Sequence, residues 1–171
     1  MPLIPGRRRR GWDEQPTAPA AVMLAADGRR RFSERAIAEA VALSASGPVA
    51  VVTIAKIHGT QFGLPNPGLM PTRQEMADRQ QWVGRAVDAI AKGGGEADGQ
   101  VAVTRKAVKT LARIARARGV GTIVIDETPY TGVRRFVEGD VGHDLRRKLR
   151  HDGVDVVVIP YDPDDPKPPK R

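Results

Sequence analysis

The sequence predicts an α/β domain: a doubly wound, open, parallel five-stranded sheet of order 3-2-1-4-5 with helices on both faces, Rossmann-like in build. Three observations predict it. Short apolar runs rich in valine and isoleucine alternate with longer segments of helical spacing, which is βαβα order. The runs are mostly continuous, as in parallel strands covered on both faces. Right-handed crossovers between successive strands then favour a sheet wound outward from its centre.

The strands are expected at Ala21 to Ala26, Val49 to Ala55, Val101 to Thr104, Thr122 to Ile125 and Val154 to Ile159. The first helix spans about Phe32 to Ala45, with Ala36, Ile37, Ala40, Val41 and Ser44 on one face and Gly47-Pro48 as its stop. After the second strand, His58 to Pro71 is rich in proline and glycine, a loop of the kind that often carries function. Thr72-Arg73-Gln74-Glu75 has capping-box spacing and opens a second helix whose buried stripe is Met76, Val83, Ala86, Val87 and Ile90; Gly93-Gly94-Gly95 ends it. The third helix, Lys106 to Arg118, buries Val108, Leu111, Ala112 and Ala115 and stops at Gly119. A fourth starts near Asp140 and buries Val141, Leu145 and Leu149.

This domain covers residues 20 to 160. Residues 1 to 19 combine four prolines with the run Arg7, Arg8, Arg9 and Arg10, and are expected to form a disordered basic arm. Residues 161 to 171, dense in proline and charge, are expected to be a flexible tail. The polar stretch after Arg10 has no apolar h-region, so no targeting peptide is read, and no apolar run approaches the ~20 residues of a membrane span. The chain has no cysteine, which excludes disulfides, thiolate metal sites and cysteine nucleophiles and is compatible with a reducing cytoplasm.

Formal charge is +8 and arginine outnumbers lysine 21 to 7, so acidic partners come into question. Lys106, Lys109, Arg113 and Arg116 fall at helical steps and form one basic stripe on the third helix. The bland reading is a solvated face; the functional one is phosphate-driven, sequence-independent nucleic-acid binding by this stripe and the arginine arm, although stacking aromatics are lacking. His58, His143 and His151 lack metal spacing, and Ser33, Ser44 and Ser46 lie in no nucleophile elbow.

In a doubly wound sheet, ligands bind at the carboxyl ends of the strands where the winding reverses, here between the first and fourth strands. That selects two loops: Asp27-Gly28-Arg29-Arg30-Arg31, and Asp126-Glu127 through Gly132 to Gly139-Asp140. Four carboxylates, Asp27, Asp126, Glu127 and Asp140, are expected to converge there; a hard cation is one reading, and neutralisation by Arg29, Arg30, Arg31 and Arg73 is the favoured one.

The segment AVMLAADGRRRFSERAIAEAVALSA resembles the opening of a universal stress protein, in which Asp-Gly ends the first strand; Asp27 matches that family's aspartate. TIVIDETPYTGVRRFVEGDVGHDLRRKLRHDGVDVVVIP resembles the family's closing strand, phosphate loop, helix and strand. The ATP-binding members resemble one another in a Gly-x-x-Gly-x9-Gly-Ser/Thr loop. Here Asp126 and Pro129 stand at the first two glycine positions and Asp140 at the hydroxyl, leaving Gly139 alone. Pro129 lacks an amide donor, and Asp140 can lay its own carboxylate over the helix N-terminus.

What the resemblance implies is a non-catalytic regulatory or binding protein of the stress response, cytoplasmic, with a protein partner the sequence does not name. It also implies a homodimer through the edge strand 154–159. The departures imply a vestigial nucleotide site (Asp27, Gly28, Asp126, Glu127, Gly132, Gly139, Asp140), with no metal, no cofactor and no significant ATP binding. Nucleic-acid association and ATP binding through an atypical loop are the alternatives.

Overall fold

The computed structural model describes residues 16–58, 70–128 and 139–162. Five strands, β1 (Val22–Ala26), β2 (Val49–Lys56), β3 (Ala97–Thr104), β4 (Thr122–Asp126) and β5 (Asp155–Ile159), form one sheet of order β3-β2-β1-β4-β5. Every neighbouring pair is parallel. Among the described residues, four helices connect them: α1 (Glu34–Ser44), α2 (Arg73–Lys92), α3 (Ala107–Ala117) and α4 (Val141–Leu149). The expected architecture and strand order are those of the molecule.

The central strand has no solvated face. All five residues of β1 are buried, because Met23 and Ala25 enter a core shared with α3 and α4 while Val22, Leu24 and Ala26 enter one shared with α1 and α2. Val49 and Val51 join the α1/α2 layer, and Ala50, Val52 and Ile54 the other, so a run of consecutive apolar residues satisfies both layers at once.

Each helix begins and ends as its residues dictate. Ser33 Oγ accepts from Ala36 N to cap α1. Thr72 and Glu75 complete the capping box of α2, Thr72 Oγ1 accepting from Glu75 N while Glu75 Oε2 accepts from Thr72 N. The exit from α1 runs through Ala45 and Ser46, both at positive φ (47° and 69°), ahead of Gly47-Pro48. Gly47 is needed for closeness instead: a Cβ there would lie 2.7 Å from that of Ala21.

Strand β3 begins at Ala97, four residues before the expected Val101. Asp98, Gly99 and Gln100 hid it, since they are polar or small on an edge strand. Asp98 binds Arg118, the residue that ends α3, which is only 2% exposed; its guanidinium also donates to Ala18 O. The arm at Arg7–Arg10, the loop from 59 to 69 and Gly132 lie outside the described residues.

Candidate functional site

Strand order places the carboxyl ends of β1, β2 and β3 beside the first turns of α3 and α4, and a cleft of about 600 Å³ opens there. Asp27 and Arg29 form its β1 side, Lys56 ends β2, Arg105 follows β3, Lys106 and Lys109 come from the start of α3, and Gly139, Asp144, Arg147 and Lys148 close it from α4. Among the described residues, seven cations thus face two carboxylates, and both carboxylates are engaged. Asp27 accepts from Arg29 N at 3.0 Å and pairs with its Nε at 3.5 Å, while Asp144 receives Arg147 at 3.2 Å.

The other expected carboxylates are turned elsewhere, so the four do not converge. Asp126, the last residue of β4, accepts from Ser33 N at 3.0 Å and from Ser33 Oγ at 2.5 Å, which directs its charge at the N-terminus of α1. Glu127 binds along the neighbouring strand: its N donates to Ile159 O, its O accepts from the Arg30 guanidinium, and its Oε2 accepts from Tyr161 N. Arg30 also lies over the Tyr161 ring, 4.9 Å from its centroid. Asp140 is the N-cap of α4, as expected, accepting from His143 N at 3.1 Å. With Glu127, His143 and Arg146 it borders a second hollow of about 350 Å³. The split is helical: positions 140, 143 and 146 point to one side of α4, and 141, 144 and 148 to the other.

Gly28 and Gly139 are the glycines that position the site. Gly28 has φ +84°, and a Cβ on it would stand 1.7 Å from Ile54 O, so the loop after β1 lies directly on the β2 backbone. Gly139 has φ +77° and lines the cleft at the entry to α4.

The basic stripe of α3 divides between two environments. Lys106 and Lys109 line the cleft and Arg113 is exposed, but Arg116 forms a two-pronged pair with Asp152, at 3.1 Å from Nε and 2.7 Å from its terminal nitrogen. That pair holds the Asp152 carboxyl below its usual range and raises the arginine. The stripe is therefore not a continuous unengaged surface. Lys56, Arg105, Arg147 and Lys148 were not singled out by sequence reasoning. The signal for the first two was their place: each stands at the carboxyl end of its strand, on the binding edge of the sheet.

Among the described residues, no three histidine, aspartate or glutamate side chains come together as a metal site. No described helix is long and apolar enough to cross a membrane.

No family model matches the sequence, and no curated protein does. Solved structures do. A universal stress protein from Lactobacillus plantarum superposes with TM-score 0.59 at 16% identity, covering 83% of this chain and 99% of that one. One from Archaeoglobus fulgidus, solved in complex with dAMP, gives 0.54 at 21% identity over 81% of this chain and 95% of its own. One of the family from Burkholderia pseudomallei gives 0.54 at 19% over 82% and 96%. The superpositions run over nearly the whole length of those proteins, and the fold of this chain is that of the universal stress proteins.

Proposed function

We propose that the protein is a non-catalytic regulatory module of the stress-protein type that binds an anionic ligand in the cleft at the carboxyl ends of its strands. The observation that carries the reading is the charge of the described residues around that cleft: seven cations against two carboxylates, each carboxylate already paired with an arginine. Such a concentration of one sign in a concave surface raises the local concentration of anions. The dAMP complex of the Archaeoglobus protein supports a phosphate-bearing ligand, on a fold wound the same way.

Absence of turnover is argued from the lining. Among the described residues around the cleft there is no serine, threonine, histidine or tyrosine, so none of these places a hydroxyl nucleophile beside a base there. The expectation of no ATP binding assumed that Asp126, Glu127 and Asp140 would face the phosphates, whereas none of the three lines the cleft. The ligand would be held by side-chain cations in place of the glycine-loop backbone.

The same reading puts the module in the cytoplasm and pairs two copies through β5, whose outer edge has no strand beside it among the described residues. Calorimetric titration with ATP, followed by analysis of the nucleotide after long incubation with magnesium, tests the function. Heat of binding with intact ATP is the expected result; released phosphate or labelled protein would refute a module without turnover. Sedimentation at tens of micromolar tests the pairing, with a monomer the refuting result.

A further inference from the structure

We propose that the outer face of α3 and α4 is a docking surface for the sugar-phosphate backbone of a double-stranded nucleic acid. The two helical layers of the sheet differ in charge. On one side, α1 carries Arg35 against Glu34 and Glu39, and α2 carries Arg73, Arg79, Arg85 and Lys92 against Glu75, Asp78 and Asp88, so the charges of that layer cancel. On the other side, α3 carries Lys109, Arg113 and Arg116 with no carboxylate, and α4 carries Arg146, Arg147 and Lys148 against Asp144 alone. All six of those cations are exposed. The packing gathers them, because α3 and α4 lie side by side over the same core, and one face of the domain is left with an excess of five positive charges.

The carboxylates on this face do not neutralise it. Asp144 takes Arg147 at 3.2 Å, while Asp152, just beyond α4, takes both prongs of Arg116 and also feels the charge of Lys148. Lys109 and Arg113 have no carboxylate partner among the described residues, and they stand about one helical turn apart, a rise of ~6 Å. Arg113, Arg116 and Arg146 do not line the cleft, so the basic surface reaches well beyond it. The class of partner follows from what this face lacks. Protein interfaces are built on apolar and aromatic anchors, and a helix on a bilayer buries an apolar side. The exposed large apolar residues, Leu43, Met70, Val103 and Tyr161, belong to neither helix. Single strands are held by stacking on aromatic rings, and the described aromatic residues, Phe32, Trp82 and Tyr161, also lie outside α3 and α4. A duplex backbone needs neither kind of anchor, since its phosphates bind through counterion release and through arginine and lysine.

Fluorescence anisotropy with a labelled DNA duplex of mixed sequence tests this, on the full chain with Arg7, Arg8, Arg9 and Arg10 replaced by alanine so that the arm cannot supply the binding. Affinity should fall about a hundredfold between about 50 and 200 mM salt, as about four phosphate contacts require, and should be indifferent to sequence. Arg113→Ala should lower the salt slope by about one contact, and Arg113→Glu should weaken binding about tenfold or more. Arg35→Glu, the same reversal on the balanced layer, should change it by less than about twofold. Both positions are exposed, so neither variant should shift the thermal melt. Arg113 is no part of the cleft lining, so binding of ATP there should survive Arg113→Glu, which separates this surface from the cleft. Equal duplex affinities for Arg113→Glu and Arg35→Glu, or loss of all binding when the arm is replaced, would overturn the proposal. A single strand of equal length that binds more tightly than the duplex would overturn it as well. Polyglutamate displacing the duplex at equal charge concentration would assign the face to an acidic protein instead.

Discussion

Asp126 and Ser33, 93 positions apart in the chain, are joined by two hydrogen bonds, and through them the end of β4 is fastened to the start of α1. Ser33 in turn caps Ala36 N, so a carboxylate, a hydroxyl and a helix terminus form one relay. Charged hydrogen bonds of this kind contribute ~1.5–3 kcal/mol, and Asp126→Ala should lose about 2 kcal/mol in urea unfolding. Asp126→Gly, which restores a glycine of the phosphate-loop pattern, is expected to destabilise without gaining nucleotide affinity, because the carboxylate it removes faces α1. A gain in affinity without loss of stability would contradict the relay.

Arg118 closes the opposite end of the sheet. Its guanidinium takes both oxygens of Asp98, at 2.6 and 2.5 Å, and donates to Ala18 O at 2.7 Å, tying the entry segment, β3 and α3 together. Removing one partner of a buried pair leaves the other charge without compensation, so Arg118→Ala should cost about 3 kcal/mol. Adding Asp98→Ala should recover part of that loss, which a double-mutant cycle measures.

The particular residues explain what the sequence made legible. Continuous runs such as Val49 to Ala55 fixed the central strands, since burial on both faces leaves only apolar residues there. The Thr72–Glu75 box and the Asp140 cap were readable because both motifs are local. The Ser33–Asp126 bonds and the Arg118–Asp98 pair were not, because each joins distant residues whose meeting depends on the sheet order. Carboxylates placed in one loop were expected to share one site, yet Asp126 is claimed by α1 and Asp140 by α4. The cleft was half legible: Asp27, Gly139, Lys106 and Lys109 were singled out, while Lys56 and Arg105 were passed over as single charges at strand ends.

The capping box of α2 gives a pH dependence. The Glu75 pKa is lowered, chiefly by the hydrogen bond from Thr72 N and further by the Thr72 hydroxyl and the charge of Arg79. A carboxyl depressed in the folded state adds stability that is fully present above its unfolded pKa and is lost as pH falls through the lower, folded value. Glu75→Gln does not titrate. Wild type should therefore melt slightly higher than the variant at pH 7, by an amount on the order of 0.5 kcal/mol for an exposed acid at a helix start. The gap should close as pH falls below about 4. A gap constant between pH 7 and pH 3 would show that the charge of Glu75 is not what holds the box.

Gly28 provides the most direct test of how the fold builds the cleft. Two independent constraints act on it: φ is +84°, where a side chain is strained, and a Cβ would stand 1.7 Å from Ile54 O, a backbone atom with no flexible end to yield. Gly119 isolates the first constraint, since its φ is +63° and nothing lies within 4 Å of its would-be Cβ. Gly119→Ala should therefore cost only about 1 kcal/mol, the usual penalty of a left-handed residue. Gly28→Ala must in addition push the loop after β1 away from β2, and should cost more than about 4 kcal/mol or prevent folding, as the severe core replacements do. Where the variant folds, the loop that moves carries Asp27 and Arg29, so anion binding in the cleft should weaken with stability. Equal melting temperatures for Gly28→Ala and Gly119→Ala would mean that the loop does not rest on Ile54, and that the β1 side of the cleft is built differently.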